Sequence, residues 1–570
     1  MTGEAQQDGS GAADAAEGRR EIEWQLSAPD LGLVRRWLSD HGSVDGLTIE
    51  PRPTRTISDI YVDTGDWRLQ RAGFALRMRD TSGRPEATLK DLARGSDFLR
   101  IRREFNEPLP SANFEALAAG RGPVSTRVHD VAGPEPLRAL FRVRTQRESF
   151  VALDRGDQAA EIALDDTIVA APDGGPSARL TRVEVEALSG TPDSLEGLVD
   201  QLRNECALTP VVDSKYEVGL KVAGLEPAAS PDLGSVAIHP SLSAGEVGRA
   251  NLRRHLATWL AHEPAARLGE EPEKLHELRV AGRRIETTLR VFEPYLPKTI
   301  VRQRPAWKSL VRALGSVRDL DVQLGGLTAF ASELHDGDAA QLSPLRERLE
   351  AERRTARSHM IRMLDRPSTR RLVRRMRVAL ARPSPVRVRS DNPAAALVAP
   401  KLIRRNFKKV CRSAQAVRAD GSASAHHNLR RHTKRLRYTI ESFDGFYDDE
   451  ARKLLKAIRR VQKSLGSSQD AHVAAGRFHA LVSSRGRRLP PETSFWIGVL
   501  AERHRSAAAD ARRGVRKRYA KLRGRRWKAL QHAMNELSIA HSPPRTGLAA
   551  RPSARRGRDS PVRPESRRRG

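Results

Sequence analysis

Two cysteines, Cys206 and Cys411, are all that 570 residues contain. A disulfide framework and a cysteine-based zinc site are excluded by that number and separation. Aromatic residues make up only 5% of the chain, which leaves few platforms for stacking nucleic-acid bases. No run of about 18 apolar residues occurs, so no membrane span is expected. The opening residues are rich in Gly, Ala, Asp and Glu and carry no apolar core of a signal peptide. A reducing cytoplasm is the expectation that follows.

What the chain has is charge, unevenly placed. Residues 1–230 hold 28 Lys/Arg and 38 Asp/Glu, a net −10, whereas residues 231–570 hold 73 and 32, a net +41. A mildly acidic part followed by a strongly basic one predicts a polyanionic partner for the second.

Periodicity divides the chain. Residues 20–222 alternate as strands do, at Glu21–Leu26, Phe74–Arg79, Ala87–Lys90, Ile101–Asn106, Glu161–Asp165 and Arg182–Ala187. Helical patterns at Leu31–Asp40 and Ser194–Glu205 interrupt them, so an α+β domain dominated by sheet is expected. A proline-bearing linker is placed at 223–240. Residues 241–540 read as all-helical, with halves at about 244–380 and 394–538. Residues 1–19 read as a disordered arm and 541–570 as a disordered basic tail.

The helical halves repeat. A shift of 151 places His276 on His427, Arg279 on Arg430, Arg283 on Lys434 and Arg284 on Arg435. It also places Leu314-Gly315-Ser316 on Leu465-Gly466-Ser467, Lys308 on Arg459 and Arg312 on Lys463. A constant shift over this span indicates a duplicated helical unit. His276, Arg279 and Arg283 share one helix face, as do His427, Arg430, Lys434 and Arg437. Like charges at such spacing repel by a few tenths of a kcal/mol per pair, and a shared polyanion would relieve this. No acidic or cysteine cluster is expected beside the histidines, which would otherwise suggest a metal.

In the first domain, period two puts Glu21, Glu23 and Gln25 on one strand face and Ile22, Trp24 and Leu26 on the other. Arg77 and Arg79 share a face, as do Arg102 and Glu104, and Glu184 and Glu186. Closing these polar faces inward would make a charged tunnel. Carboxylates in it suit a hard divalent cation, and the cations suit phosphates. Solvent-facing cross-strand pairs would give the same pattern.

Two family resemblances attach to these residues. His276-Glu-Leu-Arg279-Val-Ala-Gly-Arg283-Arg284, Leu314-Gly-Ser-Val-Arg318-Asp319-Leu-Asp321-Val322 and His427-Asn-Leu-Arg430-Arg-His-Thr-Lys434-Arg435-Leu-Arg437-Tyr438 resemble CHAD domains. That resemblance implies two pseudo-symmetric four-helix bundles with a basic groove for inorganic polyphosphate. It nominates His276, Arg279, Arg283, Arg284, Lys308, Arg312, His427, Arg430, Lys434, Arg435, Arg437, Arg459 and Lys463 as contacts. Gln469 and His472 stand where the first copy has Arg318 and Asp321.

Glu21-x-Glu23, Tyr61-Val-Asp63-Thr64, Arg77-x-Arg79, Thr88-Leu-Lys90, Arg102-x-Glu104, Glu184-x-Glu186 and Ser214-Lys215-Tyr216-Glu217 resemble CYTH domains, the triphosphate tunnel metalloenzymes. The fold implied is an eight-stranded antiparallel barrel acting on tripolyphosphate or another triphosphate with Mg²⁺ or Mn²⁺. The implied metal ligands are Glu21, Glu23, Glu184 and Glu186, joined by Asp165. The implied phosphate ligands are Arg77, Arg79, Lys90, Arg102 and Lys215, with Arg144 and Arg147 both open for a further cation. Gln25 replaces the lysine of the family's opening E-x-E-x-K motif, which bears on turnover. The expectation is a cytoplasmic polyphosphate-binding protein, associated with polyphosphate granules, carrying a metal-dependent triphosphatase-like tunnel. The rivals are a binding protein with an inactive tunnel and a nucleic-acid binder, the latter disfavoured by the scarcity of aromatics.

Overall fold

A computed structural model describes residues 18–92, 98–228, 231–381, 391–419, 421–483 and 489–542. The expected arm and basic tail lie almost wholly outside them.

Eight antiparallel strands close on themselves in the order β8-β4-β5-β6-β7-β1-β10-β9, with β9 returning to β8. They are β1 (Arg19–Ser27), β4 (Arg55–Thr64), β5 (Phe74–Thr81), β6 (Arg84–Asp91), β7 (Leu99–Pro108), β8 (Leu137–Asp154), β9 (Asp157–Ala170) and β10 (Ser177–Ala187). Two short strands, β2 (Ser43–Val44) and β3 (Leu47–Pro51), extend β8 outward, and β11 (Thr209–Pro210) pairs with β1. Closure removes the sheet's edges and gives it an inside.

The core lies outside that barrel. Trp24 and Leu26 of β1 pack against Val34, Trp37 and Leu38 of the Leu31–Asp40 helix and Leu198, Val199 and Leu202 of the Glu196–Glu205 helix. On another wall, Leu76, Met78, Leu89 and Phe105 pack against Leu117, Val124, Val128 and Val131. Alternation thus sends apolar side chains outward under helices and charged ones inward. Four helices beyond those expected contribute: Arg68–Ala72, Phe114–Ala119, Pro123–Ala132 and Lys215–Val222. The last begins at a capping box, in which the Ser214 hydroxyl accepts from the Glu217 N–H and the Glu217 carboxylate accepts from the Ser214 N–H at 2.8 Å. Its Tyr216 and Leu220 join Tyr61 and Phe141 in an apolar plug at one end of the barrel.

The rest is helical. Ala244–Leu268, Pro272–Val291, Arg304–Ala331 and Ser343–Asp365 form the first half, followed by Pro367–Ala381. Ala395–Ala419, Ala423–Glu441, Asp448–Ser483 and Pro491–Arg523 form the second, followed by Arg525–Ala540. One core runs through both, from Leu252, Trp259, Leu278 and Trp307 to Leu429, Leu436, Ile458 and Leu530. The two domains also meet. Ala265 enters the barrel-side core, Arg71 donates to the Leu260 carbonyl at 2.7 Å, Glu270 takes Arg103 at 2.9 Å and Arg127 at 3.2 Å, and Arg357 takes Asp130 at 2.7 Å.

Candidate active site and anion groove

The inward faces of the barrel strands enclose a cavity of about 110 Å³. Glu21, Glu23 and Gln25 reach it from β1, Arg77 and Arg79 from β5, and Lys90 from β6. Arg102 comes from β7, Arg147 from β8, Glu184 and Glu186 from β10, and Lys215 from the capped helix.

Within it, cations and carboxylates hold one another. Lys90 donates to Glu21 at 2.6 Å and lies 3.1 Å from Glu104. Arg102 bonds Glu21 at 3.1 Å and also Glu23. Arg79 forms two bonds to buried Asp59, at 2.7 and 3.0 Å. Arg147 forms two to Asp165, both at 2.7 Å, and a third to Glu184 at 2.6 Å. Lys215 bonds Asp165 and lies 3.0 Å from Glu184. Such pairs are interdependent, because removing one partner from a buried ion pair typically costs about 3–5 kcal/mol.

The titration shifts follow. Burial raises the Glu104 carboxyl, but Lys90 and Arg77 outweigh it and hold its pKa down at about 2. Burial likewise opposes ionisation of Glu184, and Lys215 and Arg147 override it, taking its pKa well below the ordinary value. Glu186 goes the other way. Burial, and after it the Glu21 carboxylate, raise its pKa, with Arg19 3.2 Å away as its ion-pair partner.

Two sequence-nominated residues are placed differently from the rest. Arg144 is exposed on the outer face, opposite Ile168, which is 50% exposed, so the open choice between Arg144 and Arg147 falls to Arg147. Asp165 is fully buried and outside the cavity lining. Both its oxygens are taken by Arg147 and Lys215, so it anchors cations in place of offering an oxygen to a metal. Sequence reasoning passed over Asp59 and Arg182 as site residues, and named Glu104 beside Arg102 without giving it a role. Each lies two residues from a nominated or motif residue on the same strand face, the period-two signal that could have found them.

Gln25 is 4% exposed. Its Nε2 donates to Glu23 at 2.9 Å, and its Oε1 has no partner. The donor set fits a hard divalent cation: Glu21, Glu23, Glu184 and Glu186 line one cavity, Glu186 is crowded by a like charge, and an amide oxygen beside them accepts from nothing.

The helical part carries a different site. The Pro272–Val291 and Ala423–Glu441 helices lie side by side, and a cavity of about 310 Å³ is lined by Arg283, Lys308, His427, Arg430, Lys434 and Arg435, with Arg290, Arg431, Glu286 and Tyr438 in addition. Burial, and then Arg283, Arg430 and Arg279, lower the Lys434 ammonium to about 7, opposed by Asp470. Arg430 lies 3.3 Å from Asp470.

Arg279 does not line the cavity but lies near enough to lower the Lys434 pKa; the other nominated residues lie apart. Arg284 at 3.3 Å, Arg437 at 3.6 Å and Arg459 at 3.3 Å all converge on Glu441. Arg312 and Lys463 are exposed and outside the cavity lining. His276 groups with Glu273 and Glu277, their ligand atoms within 4.8 Å of one another. That corrects the expectation of no acidic neighbours: Glu273, three positions back, shares the helix face of His276, and Glu277 follows it directly in the chain.

Glu441 explains why the halves differ. The shift of 151 pairs it with Arg290. On one side of the pseudo-dyad Arg284 meets the Glu441 carboxylate. On the other, burial and then the nearby charges of Arg290 and Arg431 lower the Arg435 pKa, opposed by Glu286, which bonds Arg290. On the first side the carboxylate meets a cation across the dyad; on the second Glu286 takes Arg290 on its own helix and Arg435 is left lining a cavity rich in cations.

Comparison with known proteins agrees with this division. Residues 38–209 match the CYTH domain and residues 250–479 the CHAD domain. The chain is a CYTH domain followed by a CHAD domain. An uncharacterised protein of Mycobacterium tuberculosis is 27% identical over 497 residues, covering 82% of this chain and 90% of its own length. The solved CHAD domain from Ricinus communis is 23% identical with TM-score 0.39, covering 54% of this chain and 96% of its own. An adenylyl-cyclase candidate from Hippeastrum, described as having dominant triphosphatase activity, is 19% identical with TM-score 0.28, covering 36% of this chain and 97% of its own. CYTH proteins act on triphosphates and depend on a metal. No helix among the described residues is long and apolar enough to cross a membrane.

Proposed function

We propose that this protein binds inorganic polyphosphate through its CHAD groove and hydrolyses tripolyphosphate, or another triphosphate, in its CYTH tunnel with Mg²⁺ or Mn²⁺. The observation that carries the reading is the tunnel's lattice of alternating carboxylates and cations. Each cation there is poised for a phosphate oxygen but is held by a carboxylate.

A polyanion entering alone would have to strip Arg102 and Lys90 from Glu21 and leave that carboxylate buried and uncompensated. Glu21, Glu23 and Glu186, with Glu184 beside them, are the residues that would hold a divalent cation, whose charge would compensate them. When bound, it supplies charge neutralisation and polarisation of a phosphoryl oxygen. Lys90, Arg102 and Arg77 would bind the phosphates from one side of the tunnel, and Arg147 and Lys215 from the other. Asp59 and Asp165 stay behind Arg79, Arg147 and Lys215 and fix the direction of their N–H groups, so the tunnel is organised before the charge of the reaction develops. Helices and the apolar plug wall off bulk water, which strengthens each contact.

A second reading keeps the CHAD groove as a polyphosphate site and makes the tunnel inactive. Gln25 favours it, because an amide bonded to Glu23 stands where the family motif has a cation. Phosphate release from tripolyphosphate, with and without Mg²⁺, separates the two. Hydrolysis only with metal supports the first; none with either metal, by a protein that still binds polyphosphate, supports the second. The proposed location is the cytoplasm, in association with polyphosphate granules.

A further inference from the structure

The largest of the cavities described lies where the two domains meet. It encloses about 620 Å³ between the turn after β4 and the Pro134–Pro136 loop on the barrel side and the Pro367–Ala381 helix on the other. Arg370, Arg371, Arg374 and Arg377 of that helix line it. None of the four has an ion-pair partner among the described residues. The carboxylates across the cleft have partners of their own: Asp66 in Arg68 and Arg71, Glu263 in Arg267, and the more exposed Glu135 in Arg68 at 3.9 Å. Trp259 also lines the cavity, is fully buried, and has an indole N–H with no partner.

Duplication provides an internal control. The counterpart of this helix in the second half is Arg525–Ala540. A shift of 158 sets Leu372 on Leu530 and Met376 on Met534, all four buried, so packing is alike. The same shift sets Arg371, Arg374 and Arg377 on Ala529, His532 and Asn535, with only Arg370 matched by a cation, Lys528. By the shift of 151, Trp259 falls on Val410, buried and without a donor. Arg371, Arg374, Arg377 and the indole N–H therefore serve nothing that the helical fold requires, and they have no counterpart in the copy that does not face the barrel.

We propose that this interdomain cleft is a second phosphate-polymer site, in which Arg370, Arg371, Arg374 and Arg377 fork onto phosphate oxygens and the Trp259 indole N–H donates at the floor. It rests on the reading that the protein binds polyphosphate. Planar guanidinium forks match phosphate oxygens, and the one aromatic residue in the lining is fully buried, so bases would find nothing to stack on. A strand bound here would touch both domains and lock their mutual arrangement.

The test titrates short-chain polyphosphate into the full-length protein by calorimetry and follows hydrogen exchange of the 367–381 helix. Three further proteins are compared: a groove variant (Arg279→Gln, Arg283→Gln, Arg430→Gln, Lys434→Gln), a cleft variant (Arg370→Gln, Arg371→Gln, Arg374→Gln, Arg377→Gln) and Trp259→Phe. The groove variant should keep a weaker class of sites and still protect the helix. The cleft variant should lose that class and the protection, while keeping groove affinity within twofold and tripolyphosphate turnover unchanged. Trp259→Phe, which leaves every charge in place, should weaken the cleft class several-fold. A cleft variant that titrates and exchanges like the wild type overturns the cleft alone. Protection by a DNA oligonucleotide of equal charge but not by polyphosphate overturns the ligand. A wild type that binds no polyphosphate overturns both this site and the function proposed above.

Discussion

The two proposed anion sites in this chain are built on opposite electrostatic plans. In the CYTH tunnel Arg79, Arg147, Lys90 and Lys215 each rest on a carboxylate within 3.0 Å. In the CHAD groove Arg283, Arg430 and Lys434 face one another, with Asp470 at the edge. A neutralised lattice can be buried in a barrel at tolerable cost and opens to an anion only when something else takes the carboxylates. An unneutralised cluster must stay near solvent and is relieved by any suitable polyanion. In the function proposed, the first plan couples anion binding to a metal, and the second needs none.

That contrast can be broken most strongly at the tunnel. Glu21→Gln with Glu23→Gln should lower metal-dependent tripolyphosphate turnover on the order of a thousandfold or more and leave groove affinity for polyphosphate unchanged. Phosphate release and calorimetry read the two separately, and normal turnover would sink the tunnel's metal assignment. In the groove, replacing Arg279, Arg283, Arg430 and Lys434 by Gln should weaken polyphosphate binding about a hundredfold or more and flatten its dependence on salt, by analogy with DNA. Chelating divalent metal should abolish hydrolysis without touching that binding. Equal loss of binding with chelator would mean that the two plans are not distinct.

A smaller effect sharpens the groove's side. Lys434 is held at about 7 by burial and by Arg283, Arg430 and Arg279. The free protein is therefore protonated there below that pH and loses the charge above it, while a bound polyanion restores it. Affinity should fall as pH rises from 7, by up to about tenfold per unit for one coupled proton, with proton uptake visible as a buffer-dependent heat. Folding has the opposite sign. Because the folded-state pKa lies below the unfolded one, stability of the free protein rises between pH 7 and the ordinary lysine range, and the penalty for the charge is fully present below 7. Lys434→Arg should remove the step in affinity; a step that persists assigns the proton elsewhere.

The smallest effect concerns two glycines inside helices. A methyl on Gly315 would meet nothing within 4 Å, and one on Gly466 would come no nearer than 3.9 Å, to the Arg430 guanidinium. Packing does not call for glycine at either. Gly466→Ala should stabilise the helix by up to about 1 kcal/mol yet weaken polyphosphate binding a few-fold, because a bound chain would pass over bare backbone beside Arg430. A tighter-binding Gly466→Ala protein would remove this role.

Much of the fold was legible because its rules are local. Period two in Glu21-Ile22-Glu23-Trp24-Gln25-Leu26 sorted one charged and one apolar face; that the charged face lies within followed from the family resemblance and is fixed by the helices that cover the apolar face outside. The duplication was legible because a shift of 151 needs no structure. The capping box at Ser214–Glu217 was equally visible, but the motif there was read for Lys215 and the helix was passed over. Arg144 against Arg147 stayed open because both are cations in a strand whose inner face only Thr145 and its neighbours on β9 reveal.

The sequence by itself determined which face of each strand is charged, where the helical repeat begins again, and that Glu441 opposes Arg290. The tertiary structure alone decided which charges meet. It set Asp165 behind Arg147 and Lys215, gathered Arg284, Arg437 and Arg459 on Glu441, and left Arg435 facing Arg290. It also turned the Pro367–Ala381 arginines toward the barrel. Periodicity fixes the direction of a side chain relative to its own backbone, whereas a charge's partner, and so its pKa and its freedom to take a phosphate, depends on distances between segments far apart in the chain.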